Sequence, residues 1–248
     1  MRLTGLLQSL EFSEAERETR LLRVRQHLFE RSRDTRQPDF QAIYASDLQH
    51  LFEAYDREFF DGQLRAALDG RPLSFDLSRR MIRSGGQTKQ IRHRDGRVCF
   101  EIAVAATMLF QGFGPNDRRT TVCGIECDSR LDALERIFEH ELVHLGEMLC
   151  WVRSNCSAVR FQGITARLFG HRSHTHNLIT WRDRANEKGI RPGSQVAFVF
   201  EGRHLQGQVN RITRRATVLV EDPQGRLYSD GRRYSRYYVP VSALELKT

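Results

Sequence analysis

Seven residues decide the fold and the chemistry expected of this chain: Phe138-Glu139-His140-Glu141-Leu142-Val143-His144. They contain the pattern H-E-x-x-H. The pattern lies inside a run from about Ser129 to Trp151 whose apolar residues recur at helical spacing. Residues four apart lie on one face of a helix, so both imidazoles can reach a single ion. The spacing therefore predicts a metal site with His140 and His144 as ligands.

Glu141 stands between the two histidines and would lie beside the bound ion. A carboxylate in this position can accept a proton from water and return it to a leaving amine. Two neutral imidazoles suit Zn²⁺, which needs no redox chemistry and polarises a carbonyl. The motif therefore predicts Zn²⁺ as the cofactor and Glu141 as the catalytic base. The alternative interpretation is a helix with two structural histidines.

Further ligands must come from outside the motif. Glu147 follows His144 by three residues, on the same helical face, as either a ligand or a partner of an imidazole. Three histidines, His171, His174 and His176, follow the end of the next predicted helix. They form either a solvated basic loop or the source of the third zinc ligand.

The order of features around the motif resembles the SprT-like metallopeptidases, the family that includes the Spartan protease. The resemblance begins at residues 51–64, similar to the family's opening helix with its F-F-x-G-x-L end. It continues through residues 77–86 and 100–102, is sharpest at 140–144, and covers about residues 40–180. It implies an α+β, zincin-like metallopeptidase domain that hydrolyses peptide bonds. Family members that cut proteins attached to DNA imply a nucleic-acid-associated protein as substrate.

The chain departs from the family pattern at the third zinc ligand. The family has a His followed by Gly, with an aromatic residue four positions later. Phe161 matches the aromatic residue, but Ser157 occupies the His position and Cys156 precedes it. We predict His171 as the third ligand, with Cys156 and His176 as rivals. The departure also keeps open a nucleic-acid-binding protein whose zinc fold is structural or inactive.

The resemblance also implies a place for an extended peptide beside the metal cleft. We expect the strand at residues 100–104 to offer its edge there by main-chain hydrogen bonds. The basic segment from Arg83 to Arg97 is interpreted as a long connection between that strand and the preceding one.

Three regions are predicted along the chain. Residues 1–39 form an N-terminal helical extension and residues 40–182 form the metallopeptidase domain. Residues 190–248 contain short β-rich runs separated by turn residues, which favours a small SH3-like β-barrel.

The C-terminal region is basic. The chain carries a net charge of +8, and the last region has ten basic and five acidic side chains, interleaved with tyrosines. Arginines can contact phosphates and aromatic rings can stack on bases, so this composition favours DNA or RNA as a partner. We predict Arg211, Arg214 and Arg215 as the nucleic-acid contacts. The alternatives are a barrel with aromatic core residues or a peptide-binding module.

The composition also bears on location. No apolar run is long enough to cross a membrane, and residues 1–10 lack the features of a secretory signal. The five cysteines are scattered, unlike a disulfide framework. We therefore expect a cytoplasmic protein without a membrane partner.

Overall fold

The computed structural model describes residues 2–81, 84–113 and 119–247. The chain is α+β and divides into two compact units, Met1–Leu178 and Ile179–Thr248. Among the described residues, no helix combines the length and the apolar character needed to span a bilayer.

Unit 1 combines helices with two small sheets. Its helices are α1 Leu3–Ser9, α2 Glu14–Arg31, α3 Ala45–Phe60, α4 Gln63–Leu68, α5 Ala106–Gln111, α6 Arg130–Trp151 and α7 Val159–Phe169. Its strands are β1 Leu73–Leu77, β2 Gly86–Arg92, β3 Val98–Val104, β4 Thr120–Val122, β5 Ile125–Cys127 and β6 His176–Asn177.

Helix α6 is the central element of unit 1. It begins at a capping box, in which Ser129 and Asp132 satisfy each other's backbone N–H groups. Its residues are buried almost continuously from Leu131 to Glu147. The helix ends where Val152 takes a positive φ of 66°. The predicted helix is confirmed, and the H-E-x-x-H motif lies near its middle.

The first sheet has the order β1-β3-β2, with β1 parallel and β2 antiparallel to β3. Strand β3 is therefore central and has no free edge. The prediction that residues 100–104 offer an edge to a peptide was wrong, because β2 occupies that position. Strand β2 lies in the segment predicted to be a connection. As an edge strand it tolerates polar residues, and for that reason it lacks the hydrophobic pattern by which strands are predicted.

The two N-terminal helices belong to the core of unit 1. Leu6 and Leu7 of α1, and Val24 and Leu28 of α2, are buried in the same apolar cluster as α6. The predicted extension at residues 1–39 is thus packed into the unit that contains the motif.

Unit 2 contains helix α8 Trp181–Glu187 and one antiparallel sheet. Its strands are β7 Gln195–Phe200, β8 Arg203–Ile212, β9 Ala216–Leu227, β10 Arg233–Val239 and β11 Glu245–Leu246. They follow the order β10-β9-β8-β7-β11. Because β10 and β11 lie at opposite edges, the described strands form an open sheet. The predicted closed SH3-like barrel is not seen among them.

Candidate metal centre

His140 and His144 face each other across one turn of α6. Their Nε2 atoms are 3.1 Å apart. Two nitrogens bound to one tetrahedral Zn²⁺ at about 2.0–2.1 Å would be separated by about 3.3 Å. The ring of Phe161 on α7 packs against both imidazoles, with centroids 4.8 Å and 4.4 Å away. The pair is therefore already held close to the spacing of two zinc ligands.

A hydrogen-bond chain fixes the tautomer of His144. The hydroxyl of Ser154 donates to Glu147 Oε2 at 2.6 Å, which uses its single hydrogen. Ser154 Oγ, 2.7 Å from His144 Nδ1, must then accept from an Nδ1–H group. Nε2 of the neutral imidazole is left with a lone pair directed toward His140.

His140 is oriented from the other side by Cys123. Cys123 and Gly124, both with positive φ, form the two-residue turn between β4 and β5. This turn places Cys123 Sγ 3.8 Å from His140 Nδ1 and 3.7 Å from the carbonyl oxygen of Arg136. With the thiol hydrogen on the carbonyl, sulfur accepts from Nδ1–H. Nε2 of His140 then also keeps a lone pair.

The surroundings of the pair keep both imidazoles in the neutral form that can bind a metal. Burial lowers the pKa of His140 to about 2, with a smaller contribution from neighbouring histidines. Burial also lowers the pKa of His144 to about 4. At neutral pH neither ring carries an extra proton. The lone pairs of the two Nε2 atoms therefore face each other in a partly buried site. A cation between them would satisfy both.

Cys156 lies in the loop between α6 and α7. The ligand atoms of His140, His144 and Cys156 all lie within 4.8 Å of one another. Burial raises the pKa of the Cys156 thiol. A nearby cation has the opposite effect, because it stabilises the thiolate. The residues present therefore fit a zinc ion with two nitrogens and one sulfur.

Glu141 is held against strand β2. Thr88 Oγ1 donates to Glu141 Oε2 at 2.7 Å, and burial raises the pKa of Glu141 to about 8. A Cβ atom at Gly86 would lie 2.6 Å from Glu141 Oε1, and one at Gly85 would lie 2.5 Å from His176 Nδ1. Two consecutive glycines thus let the edge strand approach the helix.

An open groove of about 580 Å³ gives access to these residues. Its lining includes Gly86, Gln87 and Thr88 of β2, together with His174 and His176. An extended peptide in this groove would lie beside the edge strand.

His176 is close to the pair but is poorly disposed to ligate. Its ring centroid is 5.1 Å from that of His140. Its Nδ1 accepts from the Gly85 N–H at 3.2 Å, so in the neutral ring the proton resides on Nε2. Nδ1 is thus occupied by that hydrogen bond, and Nε2 is buried without a hydrogen-bond partner among the described residues.

His171, the predicted third ligand, lies beneath the groove and does not line it. Its Nε2 is 2.9 Å from Glu139 Oε2, and its side chain is buried. One of its ring nitrogens lies within 4.8 Å of ligand atoms of Cys123 and His140, in a group that does not include His144. Helix α7 ends at its C-cap Gly170, directly before His171. We therefore do not retain His171 as a zinc ligand.

Other polar groups serve the site indirectly. Both carboxylate oxygens of Glu147 accept hydrogen bonds, one from Ser154 and one from Arg160. Glu147 therefore supports His144 through Ser154 and is not itself a ligand. Thr88 and Ser154 were not foreseen. Neither belongs to a motif, since one lies on a polar edge strand and the other in a loop.

The predicted nucleic-acid contacts lie in unit 2. Arg211 is near the end of β8, and Arg214 and Arg215 lie in the turn before β9. All three are exposed. Tyr237 packs against Phe198 and is part of the core, whereas Tyr238 is 59% exposed.

Comparison of the chain with protein-family models, curated proteins and solved structures found no match.

Proposed function

We propose that this chain is a zinc-dependent metallopeptidase of the SprT-like, zincin-like kind, with zinc held by His140, His144 and Cys156. The observation that carries the proposal is the pair of neutral imidazoles with Nε2 atoms 3.1 Å apart. Cys156 lies beside them, and Glu141, whose pKa is raised by burial, lines the same open groove. Structural histidines would not need an unprotonated pair facing solvent-accessible space.

A bound zinc ion would supply Lewis acidity, polarising a peptide carbonyl and a water molecule. Glu141 does the proton work. Thr88 fixes Oε2, and Oε1 lies over Gly86, where it takes a proton from water and hands it to the leaving amine. The positive charge of a bound ion would lower the pKa of Glu141 from its raised value, and the carboxylate would then be available as a base.

The first prediction tests Glu141. Replacing Glu141 by Gln keeps the shape but removes the base, so peptide cleavage should fall by about 10²- to 10⁴-fold while bound zinc is retained. Cleavage of an unfolded protein substrate and self-cleavage are the measurements, with zinc content determined in parallel. Glu18→Gln, at an exposed position, is the matched control. Unchanged cleavage in Glu141→Gln would remove this residue from the mechanism.

The second prediction tests the third ligand. Cys156→Ser should weaken zinc binding by more than the roughly 10- to 100-fold that loss of a ligand's hydrogen-bond partner produces. Because burial raises the pKa of this thiol, zinc binding to the wild type at neutral pH should release its proton. Calorimetry in buffers of different ionisation enthalpy measures that release, which Cys156→Ser should lose. His176→Gln is the comparison, and the opposite ranking of the two variants would assign the ligand to His176.

A second function has its own support. The exposed Arg211, Arg214 and Arg215 at one end of the β8–β9 hairpin favour a nucleic-acid-binding protein, with a structural or inactive zinc fold as the alternative to catalysis. Bound zinc without cleavage in the wild type would favour that alternative. With both present, the substrate class is a protein associated with DNA or RNA.

A further inference from the structure

A second group of metal-ligand side chains lies away from the groove, between helices α2 and α3. His27 comes from α2, and His50 and Glu53 come from one face of α3. One ligand atom of each lies within 4.8 Å of the other two. The two imidazoles are arranged edge to face, with centroids 6.4 Å apart. Residues distant in sequence thus converge on one point.

One ring nitrogen of each histidine in this cluster lacks a hydrogen-bond partner among the described residues. His27 Nε2 and His50 Nδ1 are both shielded from solvent, and neither has a hydrogen-bond partner among the described residues. Shielded polar atoms without a partner are costly and are uncommon in native proteins. Both rings also contribute a ligand atom to the same group between the helices, so a cation bound there could satisfy them.

Within the described part of the chain, only one carboxylate oxygen of Glu53 has a hydrogen-bond partner. Its Oε1 accepts from Gln49 Nε2 at 3.1 Å and is 3.8 Å from Arg65 Nη2. Its Oε2 is 3.9 Å from His50 Nδ1, too far for a hydrogen bond. One oxygen therefore holds the carboxylate in place while the other lies toward His50.

We propose that His27, His50 and Glu53 form a second metal site, which binds a divalent transition-metal ion of the zinc class and fastens α2 to α3. Two imidazoles and one carboxylate are a known zinc ligand set. The side chains of His50 and Glu53 are 25% and 36% exposed, so an ion can enter and water can complete its coordination.

The surrounding charges set the strength of this site. Burial lowers the pKa of His27, and the guanidinium groups of Arg57 and Arg31 lower it further. These charges keep His27 in its neutral, ligating form but also repel a cation. The site therefore binds its ion more weakly than a site with a thiolate ligand.

The test uses full-length protein with His140→Ala and His144→Ala, which removes the groove ligands. This protein should retain about one zinc ion per chain, and adding zinc should raise its melting temperature. His27→Gln or His50→Gln in the same background should abolish both effects. His204→Gln, at an exposed position in unit 2, is the matched control and should change neither.

A second measurement covers the case in which the double variant fails to fold. In wild-type protein loaded with Co²⁺, a thiolate ligand in the groove gives a sulfur-to-metal absorption band, whereas the second site has no sulfur. His50→Gln should lower the number of bound ions without changing that band. If the groove binds no metal, the wild type should still hold the ion that His50→Gln removes.

The proposal is overturned if the double variant folds and binds no metal. It is also overturned if metal content and melting temperature are the same in His27→Gln, His50→Gln and His204→Gln.

Discussion

Gly86 sets the distance between strand β2 and the proposed catalytic base. A methyl group there would lie 2.6 Å from Glu141 Oε1 and 2.7 Å from Glu141 Cγ, closer than van der Waals contact allows. We predict that Gly86→Ala displaces Glu141, so that cleavage falls by at least about tenfold while zinc remains bound, since a shift of about 1 Å costs that much or more. Cleavage rate and zinc content are the measurements.

The control for this variant is Gly112→Ala. The nearest atom to a Cβ at Gly112 is Thr120 Oγ1, 3.9 Å away, so the methyl group fits. Equal activity in the two variants would show that Glu141 tolerates displacement or plays no part in cleavage.

At the residue scale the sequence predicted the part of the site that is local. His140, Glu141 and His144 are close in space because helical spacing brings them together. Cys156 was weighed as a ligand from its position beside Ser157, but its distance to the imidazoles depends on the α6–α7 loop. His171 was predicted as the third ligand because its residue type suits zinc, but its Nε2 pairs with Glu139 and it belongs to a different group of ligand atoms, with Cys123 and His140.

At the scale of elements, α6 is fixed against α2 by a buried ion pair. Arg25 donates to both oxygens of Glu135, at 2.8 Å and 2.6 Å, and to Asp132 at 2.7 Å. Glu135 is fully buried, so Arg25→Ala leaves a buried carboxylate without its main partner. We predict a loss of about 2–3 kcal/mol in the free energy of unfolding, below the range for fully buried pairs because Arg25 is partly exposed.

The pH dependence of this loss follows from Glu135. Burial raises its pKa and Arg25 opposes that effect, so the pKa rises further in the variant. The folded variant then holds a proton that the unfolded chain releases above about pH 4.5, and its stability falls as pH rises. Urea unfolding should show a larger loss at about pH 8 than at about pH 5. Arg23→Ala, whose arginine is 61% exposed in its pair with Glu58, should cost less than about 1 kcal/mol at either pH.

The sequence predicted the helices better than the strands. Helices α2, α3, α6 and α7 follow from apolar residues at helical spacing. Strand β2, Gly-Gln-Thr-Lys-Gln-Ile-Arg, has too few apolar residues for a strand pattern and exists because β3 supplies its hydrogen bonds. The strands of unit 2 were recognised from their turns, but whether a sheet closes depends on which edges meet, and short-range patterns do not contain that information.

At the scale of the whole molecule, the charge of unit 2 predicts a salt-dependent partner. Full-length protein should bind single-stranded DNA or RNA, and the triple variant Arg211→Ala, Arg214→Ala, Arg215→Ala should bind more weakly. If each arginine neutralises one phosphate, the slope of log K against log salt should become shallower by about 2. A fluorescence titration at several salt concentrations measures both quantities.

The control for the triple variant is Arg232→Ala, because Arg232 is already paired with Glu221. Binding that is equally weak in the triple variant and in this control would assign the contact to another surface. Absence of binding by the wild type at low salt would favour a protein-contact role for unit 2.

The packing of α1 has a consequence for how the chain is made. The guanidinium of Arg167 on α7 donates to the backbone carbonyl of Leu7, 160 residues away along the chain. Leu7 also packs close to Gly146 of α6. At about 5–20 residues per second, a ribosome needs roughly ten to thirty seconds to pass from one contact partner to the other. Until α6 and then α7 emerge, the apolar face of α1, with Leu3, Leu6 and Leu7, lacks these partners. Holding chaperones are therefore expected to bind the nascent chain there, and unit 1 can complete its core only after α7 has emerged.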